Sequence, residues 1–154
     1  MPNGVKATRT KTTFQMEVAV SATIQATPER IWTLLTNAKD FPKWNSTVQS
    51  IEGDIALGET IALKATIAPE RTFKLRVTAF EPNSTLIWQD GAAPFFKGVR
   101  RYTLTPQSGG TTVFSMVETF SGLMLPMIAR SLPDFRASFE QYATDLKAEA
   151  ERVR

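Results

Sequence analysis

Cysteine and histidine are both absent from this 154-residue chain. Without cysteine there is no thiol nucleophile, no disulfide and no cysteine-ligated zinc. Without histidine there is no Ser-His-Asp or Cys-His arrangement, no histidine-ligated metal and no imidazole acid–base pair. Neither G-x-G-x-x-G after a strand nor G-x-x-x-x-G-K-[ST] occurs, so the usual dinucleotide and P-loop phosphate sites are missing too. The carboxylates Asp40, Glu52, Asp54 and Asp134 form no convergent pair by sequence spacing, which leaves a glycosidase-like dyad unsupported. No cofactor and no metal are expected. No run of about twenty apolar residues is present, and the opening MPNGVKATRTKTT lacks the apolar centre of a secretory signal. The expectation is a cytoplasmic protein without a transmembrane segment.

Excess charge is also scarce. The formal net charge of +3 equals the contribution of Lys6, Arg9 and Lys11, and residues 14–154 balance at fifteen basic and fifteen acidic side chains. A balanced body is not the basic surface that nucleic acid requires, so no nucleic-acid partner is expected. Residues 1–13 read as a flexible basic tail, and residues 14–154 as one domain long enough to bury a sizeable core. A homodimer is compatible with the sequence, which carries no signal that demands one.

What the chain does contain is a sharp change of period. Val18, Val20, Ala22 and Ile24 alternate with polar residues as in a half-buried strand, and then Thr27, Pro28, Ile31, Leu34 and Leu35 switch to a capped helix. Asp40, Pro42, Phe41 and Trp44 punctuate the chain next, consistent with a second short helix. Short strands follow at Val48–Ile51, Ile61–Ile67, Phe73–Ala79 and Leu86–Asp90, and residues 96–105 and 111–120 form the last two strands, joined at Gln107–Gly110. Ile128, Leu132, Phe135, Phe139, Tyr142 and Leu146 then recur at spacings of four and three, one face of a long helix that Pro133 kinks or divides. Strands first and a long helix last describe an α+β domain. Its curved antiparallel sheet of six or seven strands has one apolar face, which only the C-terminal helix is large enough to cover.

The last hairpin sets a register. A turn centred on Ser108 and Gly109 pairs Leu104 with Phe114, Tyr102 with Met116, and Arg100 with Glu118. If Tyr102 and Leu104 face inward, so do Arg100 and Glu118. Two readings follow for that pair: a buried ion pair orienting a ligand's polar head, or an exposed cross-strand pair near the sheet end. Trp88 falls one pairing step from Arg100, where a cation–π contact is sterically open. Candidate pocket-lining residues are Trp44, Phe73, Trp88, Phe96, Arg100, Tyr102, Phe114, Met116, Glu118, Ile128, Leu132, Phe135 and Phe139; for the aromatics among them the alternative is simple packing in a solid core, the more common fate of such side chains. Residues 92–96 and 123–128 are more apolar than ordinary connections. They either tuck under the helix or mark a portal or partner surface.

Ala26, Pro28, Glu29, Ile31, Trp32, Leu35, Trp44 and Asn45 match A-x-P-E-x-[VI]-W, a leucine-bearing helix and a W-N pair. Gly98, Arg100, Tyr102 and Leu104, then Gly110, Thr112, Glu118, Phe120, Ser121 and Gly122, match a second series downstream. In both stretches the chain resembles the START-like helix-grip superfamily, whose members include polyketide cyclases, CoxG-like proteins and plant Bet v 1-like proteins. The resemblance spans most of residues 16–150. It implies a sheet wrapped around the long C-terminal helix, two short helices after the first strand, and a cavity between sheet and helix that takes a small hydrophobic molecule: lipid-like, polyketide or aromatic. Binding or transport is the leading expectation. A cyclase or aromatase using Glu118, Tyr102 or Arg100, and an Hsp90-activator-like interaction module, are the alternatives.

Overall fold

The computed structural model describes residues 5–152, so residues 1–4 of the expected tail lie outside the described residues. The element order is β1 (Ala7–Lys11), β2 (Gln15–Ile24), α1 (Pro28–Thr36), α2 (Phe41–Trp44), β3 (Val48–Glu52), β4 (Thr60–Ala65), β5 (Phe73–Glu81), β6 (Thr85–Ala92), β7 (Phe96–Pro106), β8 (Thr112–Ser121), α3 (Leu125–Ile128), a 3-10 turn (Ala129–Ser131) and α4 (Arg136–Ala150). The strands form one antiparallel sheet in the order β1-β2-β8-β7-β6-β5-β4-β3. Irregularities between Val48 and Ser50 and between Val77 and Ala79 each skip a residue of the register, a device that bends a strand and helps the sheet curl.

The β2-to-α1 junction forms for the reasons its sequence suggests. Thr27 accepts from the Arg30 amide at 3.2 Å, Pro28 occupies the first turn, and Ile31, Trp32, Leu34 and Leu35 are buried. α4 lies across the concave face and buries Phe139, Tyr142, Ala143, Leu146 and Ala150. Its C-terminal half is latched: Lys147 Nζ donates to Thr23 O at 2.8 Å, Glu151 accepts from the Gln25 amide at 2.7 Å, and Arg30 donates to Glu149 O at 2.9 Å. Pro133 lies in the non-helical link Leu132–Phe135, so the long apolar stripe is divided into α3 and α4 rather than kinked.

The sheet has eight strands rather than six or seven. The extra one is β1, within the segment read as a flexible tail. ATRTK has no apolar alternation, yet Ala7–Lys11 pairs with Met16–Val20, and the Ala7 amide donates to Glu140 of α4 at 2.8 Å. Its partners are the backbone of the adjoining β2 and one distant side chain, and neither leaves a mark in the side-chain pattern of ATRTK. Deleting residues 1–11 should cost about 2 kcal/mol, because several ladder hydrogen bonds worth roughly 1 kcal/mol each net are offset by recovered chain entropy. That corresponds to a fall of about 4–8 °C in Tm, and β2 becomes an exposed edge prone to self-association. An unchanged melting curve would contradict the pairing.

Candidate functional site: a cavity under the helix

Between the central strands and the N-terminal half of α4 lies a cavity of about 390 Å³. Its sheet wall includes Phe73, Trp88, Phe96, Arg100 and Glu118. Its other wall comes from Ile128, Leu132, Phe135, Phe139 and Tyr142. Four expected lining residues are elsewhere. Tyr102, Phe114 and Met116 are fully buried in the core behind the cavity, and Trp44 packs against Phe41 and Tyr142, with centroids 4.8 and 6.3 Å away. Period two assigns a residue to the inward face, but it does not say whether the helix or empty space lies opposite. Opposite Tyr102 the helix does: its hydroxyl meets that of Tyr142 at 2.7 Å.

The hairpin register is the expected one, with Leu104 opposite Phe114, Tyr102 opposite Met116 and Arg100 opposite Glu118. Arg100 Nε donates to Glu118 Oε1 at 2.6 Å, and the two side chains are only 18 % and 14 % exposed, so the exposed-pair reading does not hold. Arg100 Nη1 also donates to the Tyr102 hydroxyl at 3.3 Å. Trp88 lies across from Arg100 in the ladder, but its ring packs edge-on against Tyr102. The guanidinium instead faces Phe139, Tyr142 and Tyr102, at 5.1, 5.8 and 6.0 Å from their centroids.

In this cluster the Arg100–Glu118 ion pair sits beside two neutral hydroxyls. Burial opposes the Arg100 charge, but Glu118 and the two tyrosines outweigh it and push its pKa above the ordinary value. Burial raises both tyrosines, Tyr142 well above its usual range, so both hydroxyls are neutral at physiological pH. A guanidinium can only donate. The Tyr102 hydroxyl therefore accepts from Arg100 and shares a further hydrogen bond with Tyr142, in which either hydroxyl can donate, so the three side chains form one connected polar chain beside the cavity that Arg100 and Tyr142 line.

Sequence spacing did not single out Asp90. It follows Leu86 and Trp88 on the inward face of β6, and that period-two position was the available signal. Asp90 pairs with Gly98, and a Cβ on Gly98 would stand 3.2 Å from Asp90 Oδ1 and 3.6 Å from Glu118 Oε2. The bare glycine therefore lets two carboxylates converge over β7, where the spacing of Asp40, Glu52, Asp54 and Asp134 suggested no such pair. Burial, then the Glu118 charge, raises the Asp90 pKa, partly countered by Arg71 at the rim. The sign of the consequence is definite. A carboxylate whose folded pKa is raised costs stability when ionised, and that cost fades as pH falls through the folded value. Asp90→Asn should therefore raise Tm at neutral pH, with the gain vanishing toward about pH 4. Melting curves across that range check it, and a variant that is less stable at neutral pH would contradict the assignment.

Among the described residues no group of three or more carboxylates is placed to hold a metal ion, and no helix is long and apolar enough to cross a membrane. In solved structures the same fold recurs. Protein MLL2253 from Mesorhizobium loti matches with a TM-score of 0.67 at 24 % identity, over 90 % of this chain and 98 % of that one. A START superfamily protein from Mycobacterium smegmatis matches with a TM-score of 0.64 at 17 % identity, over 88 % and 97 %. A norcoclaurine synthase point mutant from Thalictrum flavum, in complex with a transition-state analogue, matches with a TM-score of 0.68 at 13 % identity, over 92 % and 97 %. At these identities the likeness shows the helix-grip fold. No curated protein matches the sequence. A family model covers residues 15–151, and with the sheet, the gripping helix and the cavity in place the chain belongs to the family described as polyketide cyclase / dehydrase and lipid transport.

Proposed function

We propose that this protein binds, and releases or carries, a small hydrophobic molecule bearing an oxygen-containing polar head. The carrying observation is the cavity of about 390 Å³ with Arg100, Glu118 and Asp90 grouped within a largely apolar lining. The volume falls within the range of about 300–1,000 Å³ common for small-molecule sites, and a few convergent polar groups are what such sites use for orientation. Phe73, Trp88, Leu132, Phe135 and Phe139 would hold the apolar body. Arg100 would donate to the head, the Tyr142 hydroxyl would pair with it as donor or acceptor, and the carboxylates of Glu118 and Asp90 would accept from it.

Titration with an anilinonaphthalene sulfonate, an apolar fluorophore with an anionic head, tests the reading. Saturable one-to-one binding to the native protein is expected. Fluorescence that rises only on partial unfolding would mean a sealed core.

A second reading has one observation in its favour. Burial and the Glu118 charge raise the Asp90 pKa, so this carboxyl holds a proton more readily than an ordinary aspartate, and it shares the cavity with a charged Arg100; a proton donor and an anion stabiliser in one site are the pairing that cyclisation through an enolate uses. Conversion of a polyketide chain by the native protein, lost in Asp90→Asn while binding persists, would favour this reading over carriage.

A further inference from the structure

Three segments at one end of the sheet meet through their backbones. Gly122 N donates to Phe14 O at 3.1 Å, Leu123 N to Pro94 O at 2.9 Å, and Met124 N to Phe95 O at 2.9 Å. The resulting surface carries Phe14, Phe95, Leu123, Met124 and Met127, each 40–71 % exposed. Apart from these five, the large exposed apolar side chains among the described residues are Leu57 and Ile67. The projection is built in. Leu125 is fully buried against Met16 and Phe120, which anchors α3 and turns Met124 and Met127 outward. The apolar loop segments 92–96 and 123–128 thus resolve into anchors that tuck in and tips that do not.

Charge tells what this surface fits. Residues 11–16, 91–97 and 121–131 contain Lys11, Lys97 and Arg130 and not one Asp or Glu, although the chain from residue 14 onward has equal numbers of acids and bases. None of the three cations makes an ion pair among the described residues. A second copy docking here about a two-fold axis would bring these like charges together, which disfavours a symmetric dimer. Protruding Phe, Leu and Met side chains flanked by unpaired cations suit an anionic lipid surface, where apolar tips enter the acyl boundary and cations sit among the headgroups. We propose that this end of the protein docks reversibly on anionic membranes. Phe96 and Ile128, the next residues after Phe95 and Met127, line the cavity, so the docked face adjoins the binding site. Docking through this surface does not require that the cavity be filled.

The test is flotation of the full chain with vesicles of pure phosphatidylcholine and with vesicles of equimolar phosphatidylcholine and phosphatidylglycerol. Binding to the anionic vesicles should be at least about tenfold tighter and should weaken with salt. Leu123→Ser combined with Met127→Ser should abolish it, and Lys97→Glu combined with Arg130→Glu should reduce it at least about tenfold. Tm and fluorophore uptake should stay unchanged in both variants, which separates a lost surface from a lost fold. No binding to anionic vesicles would overturn the proposal, as would equal binding to both vesicle types or binding that survives the serine pair. So would a concentration-dependent dimer, removed by the serine pair, in a protein that ignores vesicles.

Discussion

Glu118→Leu is expected to destabilise the protein by about 3–5 kcal/mol, because it strands the Arg100 guanidinium in a space where its remaining polar partner is a single hydroxyl at 3.3 Å. Arg100→Leu should cost a similar amount, leaving the Glu118 carboxylate unpaired and close to Asp90. The double replacement should recover most of the loss. A buried pair exchanged for apolar side chains of similar bulk is nearly neutral, whereas half a pair is not. The coupling energy from the cycle should therefore exceed about 2 kcal/mol, and each single variant should melt roughly 10 °C below the parent. Ligand binding should follow a different rule: the double variant is stable but lacks the charged donor, so a fluorophore with an anionic head should bind it more weakly. Single effects below about 1 kcal/mol that simply add would be the signature of an exposed pair, and would remove Arg100 and Glu118 from the site.

How far the sequence reveals this molecule depends on how local the determining interaction is. The β2-to-α1 junction was legible because its strand alternation, Thr27 cap and Pro28 all lie within one short stretch. The β7–β8 register was legible because a tight turn at Ser108 and Gly109 propagates to Arg100 and Glu118 without another element intervening. β1 was not legible: its side chains are mostly exposed, and its stability comes from the β2 backbone and from Glu140, 133 residues away. The site divides along the same line. Inward-facing residues of β6, β7 and β8 could be named, but depth could not. Tyr102 and Phe114 face the helix itself, with Tyr142 stacked parallel to Phe114 at 6.5 Å, while Trp88 and Arg100 face the gap beside it. Asp90 could be placed on the face of β6 that carries Leu86 and Trp88 but not among the site residues, because its significance comes from Gly98 on the neighbouring strand, and that is a property of the sheet.

The second large effect concerns the gap. Ser138 is half-buried, lines the cavity from α4 and makes no side-chain hydrogen bond among the described residues, so replacing it removes little packing and no polar partner. Ser138→Trp places an indole in the space that a ligand would take. Serine and tryptophan have similar helix propensity, so the helix itself has little reason to weaken, and Tm should stay within a few degrees of the parent. Affinity for an apolar ligand should fall at least about tenfold, or 1.4 kcal/mol. Ser138→Ala, which adds nothing to the cavity, should bind as the parent does.

The most direct measurement of the central claim is fluorophore titration of the parent and Ser138→Trp side by side, under conditions where both are fully folded. A ligand-admitting cavity predicts a saturable one-to-one curve for the parent and a curve shifted at least about tenfold to weaker binding for the variant. Equal binding by the two would place the fluorophore outside the cavity, and no binding by the parent would mean that the space between the sheet and α4 admits no ligand.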